Sequence, residues 1–129
     1  MKTIITTLCA AIVLGSNLLV ANSDTVPLRY SDKAQYMVLA NQIGTAYHTN
    51  VPLIKAVVTC ESSWSAGATN VSKKEQSYGL VQINRLAHPS ISIQQAEDPS
   101  FALNYLAKGL STGSDHWTCQ KMVKYKSTH

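Results

Sequence analysis

The sequence predicts a mainly α, small α+β domain in which a short hairpin or ordered loop follows one central helix. Three observations carry this expectation. Ile54, Val57, Val58 and Glu61 recur at i, i+3, i+4 and i+7, the spacing of one helix face. Helix-start signals recur near Ser31, Ser92 and Asp98, whereas residues 78–83 alternate loosely in the manner of a strand. Once an N-terminal leader is set aside, about 106 to 108 residues remain, enough for one domain with one small core.

In chain order, residues 1–23 read as a signal peptide. Lys2 opens it, residues 4–20 carry no charge, and Ala21 or Ser23 supplies the small residue before a cut near 21–23. An uncleaved N-terminal anchor is the alternative, against which Thr3, Thr6, Thr7, Ser16 and Asn17 lower the hydropathy. Cys9 has further apolar sequence behind it, which argues against a lipoprotein anchor there. Residues 24–129 then form the folded domain.

Residues 31–47 read as its first helix, with Ser31 or Asp32 as cap, Tyr36, Val38, Leu39 and Ile43 as apolar surface, and Gly44 weakening the end. Pro52 suits the first turn of the next helix, so that helix starts at about Asn50 or Val51. Ser62, Ser63, Ser65, Gly67 and Asn70 break the apolar pattern and read as an ordered loop. Residues 71–84 are too short and polar for a second core helix, and residues 78–83 alternate loosely enough to allow a short hairpin or an ordered turn. Ser92-Ile93-Gln94-Gln95 matches a capping box and opens one short turn. Asp98-Pro99 caps a longer helix with Ala102, Leu103, Leu106 and Leu110 on one face, and Gly113 ends it. The tail sets Trp117, Cys119, Met122, Val123 and Tyr125 among lysines, and a last short helix is expected.

Loss of Lys2 with the leader takes the formal charge from +4 to +3. This mild excess suits an anionic polymer such as a bacterial wall. No basic run is interleaved with aromatics, so nucleic acid is not an expected partner. The mature chain keeps two cysteines, Cys60 and Cys119, an even count that suggests one disulfide in an exported protein; two buried free thiols are the alternative. The bridge would tie the tail to the helix of Glu61, and closing a loop of roughly 60 residues is worth about 4 kcal/mol in the chain-entropy view. His48, His88, His116 and His129 show no ligand spacing with the cysteines, and neither metal nor cofactor is expected.

Glu61 is the first candidate for chemistry. It is the only acid between Asp32 and Glu75, and helical spacing sets it on the apolar stripe. Burial disfavours a carboxylate, raising its pKa toward the range in which a carboxylic acid donates a proton near neutrality. A helix C-terminus also disfavours negative charge, so a helix-ending acid with no task would be a mildly costly choice there.

The residues around Glu61 resemble a known family. The run Glu61-Ser62, then Ala68-Thr69-Asn70, then Ser77-Tyr78-Gly79-Leu80-Val81-Gln82-Ile83-Asn84 is similar to the catalytic segment of the lysozyme-like superfamily, and most like bacterial lytic transglycosylases of the soluble-type (SLT) family. The similarity is strong over residues 50–90, weaker to 110 and absent at both ends. It implies a lysozyme-like fold and cleavage of the β-1,4 bond between N-acetylmuramic acid and N-acetylglucosamine, with formation of 1,6-anhydro ends.

By this resemblance Glu61 is the catalytic acid and base, and Ser62, Ser77, Tyr78, Gln82 and Asn84 are substrate-binding. Core packing is an equal reading for Tyr78 and for Trp64, and turn chemistry for Ser62 and Ser77. In animal-type lysozymes the residue before the Tyr-Gly pair is a second acid; here it is Ser77, while Glu75 stands beside Lys73 and Lys74 and reads as part of a solvated loop. Family members commonly carry an Ala-Tyr-Asn segment in a later helix. None occurs after residue 90, and Tyr105 or Trp117 is the candidate for that space. The expected partner is therefore the peptidoglycan glycan strand, met by a monomer in the periplasm or outside the cell, without stable membrane association after cleavage. A hydrolytic muramidase on the same fold, or an inactive wall-binding module, remains the alternative.

Overall fold

A computed structural model describes residues 32–128. The expected leader lies outside them. Among the described residues, five helices and one small sheet follow in the order α1 (Asp32–Ala46), α2 (Val51–Ser62), β1 (Thr69–Val71), β2 (Gln76–Tyr78), β3 (Ile83–Asn84), α3 (Ile93–Glu97), α4 (Pro99–Ser111) and α5 (Thr118–Thr128). Helix α2 is central. It packs against both α1 and α5, and α4 packs against α1.

Local chemistry accounts for the helix ends. The Asn50 side chain accepts from the Leu53 N–H, and Pro52 lies in the first turn, where its missing N–H costs nothing. Ser92 and Gln95 form the reciprocal capping box, and the Asp98 carboxylate accepts from the Phe101 N–H to start α4. Gly44, expected to weaken the end of α1, lies two residues before that end. It is buried, and a Cβ there would come within 2.7 Å of Val51 Cγ2 and 3.0 Å of Ile54 Cδ1, so α1 and α2 pack closely at this point.

The core gathers Ala40 and Ile43 from α1, Ile54, Val57 and Val58 from α2, Leu103, Leu106 and Ala107 from α4, and Leu80, Val81 and Ile83 from the sheet and the loop before β3. The stripe read from the sequence is therefore the face α2 buries. Trp64 belongs to this core as well: it is 3% exposed, and its indole N–H donates to Thr59 Oγ1 at 2.8 Å.

The expected hairpin is a three-stranded antiparallel sheet in the order β1-β2-β3. It starts earlier than expected, since Thr69 and Asn70, read as loop, form β1. These strands are too short for period-two alternation to show in sequence. Ser77 pairs with Asn70 on one side and with Asn84 on the other, so one polar row runs across all three strands. Gly79 follows β2 with φ +82, and a Cβ there would run into the Ala96 carbonyl of α3. Backbone sign and steric contact both require glycine.

The Cys60–Cys119 disulfide is present, across a sequence separation of 59. Its reduction is expected to lower the melting temperature by well over 8 °C, because about 4 kcal/mol is several times the increment that moves a domain of this size by 4 to 8 °C. A scan with and without reductant checks this. Gly79→Ala is expected to cost at least about 2 kcal/mol, measured by denaturant unfolding.

Candidate functional site

Glu61 is the penultimate residue of α2 and is half-buried. The helix stops just beyond it because Ser63 turns left-handed, φ 51, and its N–H closes on the Thr59 carbonyl. Trp64 follows at φ 69. Two successive non-glycine residues in this region bend the chain sharply and drop the Trp64 ring into the core beneath the helix end. Ser62 fixes the same corner from the other side: its hydroxyl donates to the Leu80 carbonyl at 2.8 Å, with Val58 O a second acceptor at 3.3 Å.

Burial pushes the Glu61 carboxyl above its ordinary value of 4.5, the backbone N–H of Cys119 draws it back, and the negative charge of Glu75 raises it again. The Cys119 N–H donates to Glu61 Oε1 at 3.4 Å. It comes from the first turn of α5, which the disulfide holds against α2. One step earlier, the Trp117 indole N–H donates to the Val81 carbonyl at 3.1 Å. The tail therefore packs against the end of α2 and the loop before β3.

Glu75 departs from expectation. It is half-buried and faces back over the sheet, away from the role of a solvated loop residue beside Lys73 and Lys74. Ser77 Oγ donates to its Oε1 at 2.8 Å and Asn70 Nδ2 to its Oε2 at 3.0 Å. The cause is the turn: Ser72 Oγ accepts from the N–H groups of Lys74 and Glu75, and the Ser72 N–H donates to the Glu75 carbonyl at 2.7 Å. The pattern Ser72-x-x-Glu75 was the available sequence signal, a serine closing its own turn.

The other expected residues fall into two groups. Gln82 and Asn84 line a cavity of about 230 Å³ together with His88, Tyr105, His116 and Trp117. Gln82 donates through Nε2 to the Ala68 and Gly79 carbonyls, and Asn84 Oδ1 accepts from the Gln76 and Leu86 N–H groups. Each amide is thus anchored through one end, leaving Gln82 Oε1 and Asn84 Nδ2 for a ligand. Ser77 is only 1% exposed, and its hydroxyl is engaged with Glu75. Ser62 is likewise spent on the Leu80 carbonyl. Tyr78 is half-buried and packs against the core.

Sequence reasoning missed His88 and His116. His88 Nε2 lies 3.0 Å from Tyr105 Oη, and the Tyr105 ring meets Trp117 edge to face at 5.8 Å. No local pattern joins residues 88, 105 and 117; helix α4 brings them together.

A family model described as a lysozyme-like domain, SLT_3, matches residues 37–119. No curated protein matches the chain. The matched span runs from α1 to Cys119 and includes every residue of the site just described.

A carboxyl raised by burial penalises the fold once it ionises. The stability it contributes is complete below 4.5 and is lost as pH rises through the higher folded value. Glu61→Gln is therefore expected to raise the melting temperature at pH 7 to 8, with the gain vanishing below about pH 4.5. Scans of both proteins across pH test this.

Proposed function

The chain belongs to the SLT_3 family of lysozyme-like domains, and we propose on that premise that it is an exported lytic transglycosylase that cleaves peptidoglycan with Glu61 as its single acid and base. The family acts on peptidoglycan, so the glycan strand is the partner. One observation carries the finer reading: a half-buried carboxyl, raised by that burial, stands at the end of the central helix with the Cys119 N–H donating to it. A disulfide fits an exported protein, and among the described residues no helix is long and apolar enough to cross a membrane.

In the proposed reaction Glu61 protonates the oxygen that bridges N-acetylmuramic acid to N-acetylglucosamine, and the bond to C1 breaks as the neighbouring N-acetyl carbonyl stabilises the positive charge. Glu61, now a carboxylate, takes the proton of the sugar's own C6 hydroxyl. O6 closes on C1, the 1,6-anhydro ring forms, and the proton has returned to Glu61. No water is consumed. The Cys119 N–H favours the carboxylate form that acts in the second half, whereas burial favours the acid that acts in the first. Gln82 and Asn84 are the proposed sugar contacts, and Tyr105 and Trp117 form the apolar side of the cavity.

Glu75 favours a second reading, a hydrolytic muramidase, because it supplies another carboxylate whose charge reaches Glu61. Product mass separates the two. Digestion of purified peptidoglycan is expected to yield disaccharide-peptides lighter by one water, about 18 Da, than hydrolytic fragments. Reducing-end products would establish the muramidase. Glu61→Gln is expected to lower turnover by about 10²–10⁴-fold, the usual worth of a general acid, and a loss under about tenfold would sink the assignment.

A further inference from the structure

The cavity that holds Gln82 and Asn84 has a neighbour. A second concavity, of about 310 Å³, shares Tyr105, His116 and Trp117 with it and adds Lys108, Gly109 and Ser114. The indole of Trp117 links the two spaces. At one end of the ring its N–H donates to the Val81 carbonyl at 3.1 Å, in the loop that leads into Gln82. The other end lies against α4, where a Cβ on Gly109 would stand 2.7 Å from Trp117 Cη2. Glycine within a helix is destabilising relative to alanine, and here the missing side chain is what admits the ring. Trp117 is 7% exposed, so it is a fixed wall common to both spaces.

The second space has a definite chemistry. No carboxyl group lines either concavity, whereas Lys108, exposed on α4, lines the second. Among the described residues no carboxylate lies within ion-pair distance of Lys108; the pair that does form joins Lys121 to Asp115 at 3.9 Å. Ser114 is held through its backbone, its N–H donating to the Gly109 carbonyl at 2.8 Å and its carbonyl accepting from Gln120 Nε2 at 3.0 Å. Its hydroxyl is nevertheless buried without a partner. Such a group calls for an acceptor, and an anion beside Lys108 supplies one.

We propose that this second concavity is a subsite for the acidic peptide that peptidoglycan carries on N-acetylmuramic acid: Lys108 pairs with a peptide carboxylate that also accepts from the Ser114 hydroxyl, while the sugar lies against Gln82 and Asn84. The proposal rests on the reading of the first cavity as a sugar site, and it names which strands the chain prefers. The peptide branches from the sugar ring itself through the lactyl ether, so its first residues leave the sugar cavity at its side. The shared Trp117 wall leads from there to a space that bears a cation and lacks acids. A further neutral sugar of the strand would gain little from Lys108, because a hydroxyl group offers it no charge to pair with.

The test is a titration of the wild-type domain, followed by nitrogen-15 NMR, with N-acetylmuramyl-L-alanyl-D-glutamate and with its neutral diamide, neither of which has a glycosidic bond to cleave. The acid is expected to bind about two- to fivefold more tightly than the diamide, the range of an exposed ion pair, and to shift the Trp117 indole and Ser114 amide signals. In Lys108→Met, which keeps a long stem at an exposed position, the two probes should bind equally, and in Ser114→Ala the preference should narrow. With the wild-type enzyme, KM for glycan strands stripped of peptide should exceed KM for intact strands, and Lys108→Met should bring the two values together. Equal affinity of acid and diamide for the wild-type domain overturns the proposal, and so does a preference that survives in Lys108→Met. Polyglycerol phosphate that displaces the acid probe and binds more tightly would assign Lys108 to a wall polymer of another class and also overturn it. Failure of the sugar reading looks different: a peptide-free strand would then leave the side-chain amide signals of Gln82 and Asn84 unmoved, whatever happens at Lys108.

Discussion

The domain depends on how the first turn of α5 is fastened to the last turn of α2. Three bonds act within a few residues: the Cys60–Cys119 disulfide, the Cys119 N–H to Glu61, and the Trp117 indole to the Val81 carbonyl. Without them α5 would be a weak helix, since its sequence is largely polar and its exposed face carries Lys121, Lys124 and Lys126. The covalent link removes chain entropy that so small a core could not offset by packing alone. In closing the fold it also completes the surroundings of Glu61, so stability and site are set by one junction.

The sheet plays a different part. Its strands are only two or three residues long, and it contributes little buried area of its own. What it contributes is register. The row Asn70, Ser77, Asn84 sets three polar side chains side by side across the strands, and the loop between β2 and β3 turns back into the core through Leu80 and Val81. A slip of one residue would exchange the polar row for its neighbours and separate Glu75 from both partners. Gly79, pressed on the Ala96 carbonyl, resists such a slip.

Much of this was legible beforehand, and for identifiable reasons. The α2 stripe, the capping box at Ser92, the Asp98-Pro99 start and the cysteine pair are local or countable signals, and each appears where expected. The Glu61 environment followed from helical spacing alone. The first strand and the placing of Glu75 did not, because strands this short carry no periodicity and the lysines beside Glu75 suggested a solvated loop. Its actual position depends on ladder partners that only tertiary structure supplies. The cavity failed for the same reason in stronger form, since His88, Tyr105 and Trp117 meet only after α4 has packed.

The half-anchored amides of Gln82 and Asn84 have a further consequence for recognition. Each has already surrendered its rotational freedom during folding, held by two carbonyls in one case and two N–H groups in the other. A polar ligand entering the cavity does not have to freeze them, a saving of about 0.5–1.5 kcal/mol for each side chain that would otherwise be immobilised. The same rigidity removes tolerance. An amide that cannot swivel cannot follow a displaced hydrogen-bonding group, so a ligand with one group inverted would leave a donor or acceptor unmatched, and discrimination would arise from stiffness rather than from additional contacts.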